Sequence, residues 1–169
     1  MNVKVGSGPD SWGVWFADDP RQTPWQRFLD EVVEASYEWI ELGPYGYLPT
    51  DPATLRGELE QRGLKVSGTF TLANLEDPTA WPEVERQVLG GGELVASVGG
   101  KFMVLIDELT TDWFTGERIA PERLDEVAWH RLIDTTHKVA DIVREQFDLT
   151  LAFHSSPDTH VACEDQLET

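Results

Sequence analysis

Short apolar runs alternate with longer stretches of helical spacing about every 30 residues along the chain, the length of one strand-plus-helix unit. Strands joined through helices lie parallel, because a parallel pair needs a long crossover. Residues 3–6 read as a first strand, followed by a helix over 24–36 with Phe28, Val32 and Ala35 on one face and Thr23-Pro24 as its N-cap and first position. A second strand over 39–42 stops at Gly43-Pro44, and Asp51-Pro52 opens a helix that ends at Gly63. The third strand covers 64–70. Residues 78–98 have helical spacing in Trp81, Val84 and Val88 but carry Gly90-Gly91-Gly92, which costs about 1 kcal/mol per glycine and predicts a broken helix. A continuous apolar strand over 101–106, a long helix over 121–146 and a fifth strand over 149–154 complete the pattern.

The fold class is therefore α/β, about (βα)4β with parallel strands. Two architectures fit: an open doubly wound sheet, or a partial (β/α)8 TIM barrel. A whole barrel takes about 250 residues, and this chain has 169, so the barrel reading makes residues 1–169 one partial barrel domain, truncated after its fifth strand. In that reading Val5, Ile40, Val66 and Val104, or their neighbours along the pleat, face an open groove.

Charge narrows the partners. Thirteen Lys and Arg against 31 Asp and Glu give a formal net charge of −18, which disfavours nucleic acid and anionic membranes as ligands. One cysteine, Cys163, cannot form an internal disulfide. No apolar segment reaches the length of a signal core or a membrane span, so a cytoplasmic protein is expected. There is no phosphate loop at Gly90-Gly91-Gly92 or Gly99-Gly100-Lys101 and no G-x-S-x-G, so nucleotide binding and acyl transfer have no support.

In either architecture the working residues belong at the carboxyl ends of the strands. Those positions hold Asp10, Trp12, Trp15 and Phe16 after the first strand, Glu41 and Tyr45 at the second, Asp107 and Glu108 at the fourth, and His154, Asp158 and His160 at the fifth. Glu41 lies between Ile40 and Leu42 inside an apolar strand, where a carboxylate is costly unless it has a function or a partner. The tryptophans are equally a hydrophobic plug or a sugar-stacking platform. Asp107 and Glu108 serve as ligands or as capping acids, and His154 and His160 as site groups or as core histidines. Imidazole with carboxylate is the vocabulary of a divalent metal.

Three segments carry a resemblance: Gly8-Pro9-Asp10-Ser11-Trp12-Gly13-Val14-Trp15, Trp39-Ile40-Glu41-Leu42-Gly43-Pro44-Tyr45-Gly46-Tyr47-Leu48-Pro49, and Gly63-Leu64-Lys65-Val66-Ser67-Gly68. They resemble the xylose-isomerase-like TIM-barrel superfamily, within it the sugar phosphate isomerase/epimerase group that includes inosose dehydratases. The resemblance implies metal-dependent proton transfer next to a carbonyl on a sugar or polyol, with Mn²⁺, Co²⁺ or a similar ion. It implies catalytic roles for Glu41 and His160, substrate contacts from Trp12, Tyr45 and Asp107, and His154 as a metal ligand. The family's ligands, typically two Glu, one Asp and one His, come from strands five to eight. Around the fifth strand His154, Asp158, Thr159, His160 and Val161 match the family pattern, whereas Ser156 stands for a histidine and Ala162 for an acid. An inosose dehydratase-like lyase is one alternative. A non-catalytic half-barrel that acts by self-association is the other.

Overall fold

The computed structural model describes residues 3–167. Five strands, β1 (Gly6–Ser7), β2 (Trp39–Glu41), β3 (Lys65–Ala73), β4 (Phe102–Asp107) and β5 (Thr150–His154), form one sheet in the order β1-β2-β3-β4-β5, every neighbouring pair parallel. A doubly wound sheet reverses its strand order at a switch point. This sheet never reverses, and right-handed crossovers then place every helix on one face. The fold is a partial (βα)n barrel with one face covered and the other concave and open.

The covering helices are α1 (Trp25–Glu34), α2 (Pro52–Arg62), α3 (Trp81–Ser97) and α4 (Glu126–Phe147), and a short α5 (Glu164–Leu167) follows β5. The core lies between them and the sheet, built on Phe28, Leu29, Val32, Ile40, Leu55, Val66, Val88, Met103, Leu105, Val139 and Val143. No helix among the described residues is long and apolar enough to cross a membrane.

Local chemistry sets the helix ends. Asp51 accepts a hydrogen bond from the Thr54 amide, Pro52 occupies the first turn, and Gly63 closes α2 at φ 66°. α4 begins later than its sequence spacing suggests, because Asp125 and not a residue near Pro121 caps it, through the Ala128 amide. α1 likewise starts at Trp25. Pro24, with extended ψ of 138°, occupies the cap position, and Thr23 lies outside the helix.

The glycine triplet does not break α3, which runs without interruption from Trp81 to Ser97. The glycines serve close approach instead. A Cβ on Gly90 would collide with the Tyr45 ring, and one on Gly92 would stand 2.5 Å from the Phe147 ring. The lost helix propensity is offset by packing α3 against the loop after β2 and the end of α4.

The pleat selects the neighbours of Ile40 and Val66 for the groove. Ile40 and Val66 are buried with the core, Val104 is half-buried and Val5 is exposed. The open face is lined by Trp39, Glu41, Ser67 and Phe102, the last 49% exposed.

Candidate functional site

Two polar constellations stand at the carboxyl ends of the strands. The first lies beside a bulge. Ile40 pairs with Val66 but Glu41 pairs with Gly68, so Ser67 is the extra residue in β3, and its hydroxyl donates to the Ile40 carbonyl at 3.0 Å. Along β2 the side chains alternate, so Trp39 and Glu41 face the open side while Ile40 is buried. Glu41 lines a groove of about 640 Å³ with Ser7, Asp10, Ser11 and Ser67, which runs along the open face toward the amino ends of the strands at Lys4, Trp39, Lys101 and Phe102. Burial first, and then the charge of Asp10, push the Glu41 carboxyl above the usual carboxylate range.

The second constellation is buried deeper and joins three loops. Asp107, the last residue of β4, is 0% exposed, and its Oδ2 accepts from His160 twice: from the backbone amide at 3.1 Å and from the ring Nδ1 at 2.8 Å. His160, 1% exposed, is held by a turn after β5. Within that turn Thr159 Oγ donates to the Ser156 carbonyl at 2.9 Å and accepts from the Val161 amide at 3.2 Å. The Asp158 carbonyl takes the Thr110 amide at 2.6 Å, which knits the β4 and β5 loops together.

Glu76 completes the cluster, with Oε1 at 4.0 Å from His160 Nδ1. Leu75, buried beside it, anchors the loop after β3, and Arg131 of α4 donates to the Glu76 carbonyl at 2.7 Å. Burial disfavours the imidazolium of His160, but the hydrogen bond and charge of Asp107, the charge of Glu76 and the Pro121 carbonyl outweigh it, so the imidazole is held above its usual range. Burial raises the Glu76 carboxyl, aided by the charges of Asp107 and Glu108 and opposed by its own backbone and by His160.

The residues singled out from sequence are placed as follows. Asp107 and His160 meet directly. Glu41 stands two strands from Asp107, in the groove. His154 is exposed at the end of β5 and lies outside the cluster; among the described residues the grouping at metal-ligating distance is Glu76, Asp107 and His160. Trp12 turns toward α1, its ring edge-on to Phe28 at 5.0 Å and its Nε1 donating to Glu31 at 2.7 Å. Tyr45, with Trp15, Phe70 and Arg86, lines a smaller pocket of about 240 Å³.

Glu76 escaped the sequence reading because β3 was ended at Phe70. The strand runs on through Thr71, Leu72 and Ala73, which puts Glu76 three residues past its carboxyl end. The β-branched and apolar run after Phe70 carried that signal.

No family model and no curated protein sequence matches the chain. Its structure is similar to several solved ones. With the IolI protein binding a zinc atom, it shares 16% identity at a TM-score of 0.69, over 98% of this chain and 56% of that one. With a xylose isomerase-like TIM barrel protein from Mycobacterium smegmatis in complex with magnesium the values are 16% and 0.68, over 98% and 59%. With D-allulose 3-epimerase from Methylomonas sp. they are 12% and 0.66, over 93% and 53%. The chain spans little more than half the length of these proteins, and its fold is similar to the corresponding part of a TIM barrel.

Proposed function

We propose that this partial xylose isomerase-like barrel belongs to an enzyme that moves a proton at the carbon next to a carbonyl of a ketose or cyclic polyol ketone, with Glu41 as the proton-transfer group. The observation that carries the reading is the half-buried Glu41 carboxyl, which alternates with the buried Ile40 along β2 and so faces a groove of about 640 Å³ on the open side of the sheet. Its raised proton affinity makes it a stronger base than a solvated carboxylate. Ser7 and Ser11 offer hydroxyls to the substrate's own hydroxyls. Phe102 offers an apolar face to its C–H groups. The D-allulose 3-epimerase and IolI likeness supports a sugar or polyol substrate over other carbonyl compounds.

A divalent ion, Mn²⁺ or Co²⁺ as the resemblance implies, polarises a substrate carbonyl when bound. The family's ligand set draws on strands five to eight, and here β5 brings only the exposed His154 to it. These five strands do not assemble that set. The proton-transfer role of Glu41 rests on its own burial and charge environment.

A second reading, a half-barrel that works by self-association, is favoured by the half-exposed Phe102 on the open face. The two are separated by assaying ketose epimerisation and inosose dehydration with added Mn²⁺ or Co²⁺. Turnover lost in Glu41→Gln supports the enzyme, and absence of turnover beside a stable dimer supports association.

A further inference from the structure

The cluster after β3, β4 and β5 carries more buried polarity than its internal bonds satisfy. Asp107 Oδ2 accepts both His160 donors, yet Asp107 Oδ1 and Glu76 Oε2 are buried without hydrogen-bond partners. Each such orphan costs about 1–3 kcal/mol. Two of them, on acids at adjacent strand ends, call for a common partner.

The donor chemistry says what that partner is. Once an ion displaces the proton that His160 Nδ1 donates to Asp107, two carboxylates and a neutral imidazole sum to −2, the complement of a divalent cation. One ligand atom from each of Glu76, Asp107 and His160 lies within 4.8 Å of the other two, a span that closes around one ion. Nδ1 is the ring nitrogen that faces both carboxylates, at 2.8 Å from Asp107 and 4.0 Å from Glu76. A mixed nitrogen and oxygen set suits Zn²⁺, Co²⁺ or Mn²⁺ over Mg²⁺ or Ca²⁺, which prefer oxygen alone.

We propose that Glu76, Asp107 and His160 form a cation site for an ion of this zinc, cobalt or manganese class, built from the loops after strands three, four and five. The site is distinct from the set that the resemblance places on strands five to eight, and it does not involve His154. The ion ties three strand ends together, replacing the direct His160–Asp107 contact by bonds that also recruit Glu76.

Calorimetry on the chelator-treated full chain, titrated with Zn²⁺ and with Co²⁺ in the absence of any sugar, tests this apart from the catalytic reading. One site per chain is expected, with a rise in Tm on binding and Co²⁺ absorption bands that report a nitrogen and oxygen environment. Glu76→Gln, which leaves the Asp107–His160 pair intact, weakens binding by at least about tenfold, and His154→Ala leaves it unchanged. Absence of saturable binding to the folded chain overturns the proposal. So does binding that survives Glu76→Gln or is lost in His154→Ala, because the ion is then held elsewhere.

Discussion

His160 is bonded to one oxygen of Asp107 through both its backbone amide, at 3.1 Å, and its ring Nδ1, at 2.8 Å. One acid at the end of β4 thus fixes both the path of the β5 loop and the orientation of its imidazole. Asp107→Asn keeps the shape but loses the charge, and is expected to destabilise the fold by about 1.5–3 kcal/mol, the worth of hydrogen bonds to a charged group. Urea denaturation followed by far-ultraviolet circular dichroism measures this. An unchanged midpoint would show that the pair contributes nothing to stability.

The glycines of the helices predict opposite outcomes for one substitution. Gly57, inside α2, has open space where a Cβ would sit, so Gly57→Ala stabilises by about 0.5–1 kcal/mol. Gly92 in α3 faces the Phe147 ring, and Gly92→Ala destabilises by about 1–3 kcal/mol despite the better helix propensity. Thermal melts of the two variants check the pair of signs.

These glycines also show where the sequence was readable and where it was not. The strand and helix rhythm, the Asp51-Pro52 entry and the Gly63 stop are local signals, and α2 formed as they predict. The glycine triplet looked like a break because propensity is local, whereas its cause is Tyr45 and Phe147 arriving from distant segments. Strand order, which separates the barrel from the doubly wound sheet, is likewise a long-range property. At the site, Asp107 and His160 were visible as residue types at strand ends, but their pairing, 53 positions apart, was not. Glu76 was hidden by an early end to β3, whereas the side that Glu41 faces follows from its alternation with Ile40.

Two carboxyls predict contrasting pH behaviour. Glu41 holds its proton more tightly in the fold than its ordinary value of 4.5, through burial and then Asp10. Its contribution is present below that value and is lost as pH rises through the folded pKa. Glu41→Gln is therefore more stable than the parent at pH 7 and equal to it at pH 4. Glu83, hydrogen-bonded to Arg86 and Gln87, is lowered to about 2, so its contribution is present above 4.5 and fades as pH falls toward 2. Half-exposed and screened, that pair is worth only about 0.5 kcal/mol. Tm against pH for Glu41→Gln and Glu83→Gln checks both signs.

The open face predicts association. Leaving a large apolar side chain such as Phe102 in water forgoes about 1.5–3 kcal/mol, and the expected state is a dimer or larger species in spite of the charge of −18. Phe102→Lys shifts the population toward monomer. Light scattering at several concentrations measures it, and a monodisperse parent monomer contradicts the expectation.

The role of Glu41 is tested most directly by hydrogen exchange from solvent. The chain is incubated in D₂O with a ketohexose or an inosose, with and without Mn²⁺ or Co²⁺, and deuterium at the carbon next to the carbonyl is followed by NMR. The account predicts catalysed exchange that falls by about 10²–10⁴-fold in Glu41→Gln while the variant remains folded. Exchange that is absent with every substrate and metal, or that persists undiminished in Glu41→Gln, would contradict it.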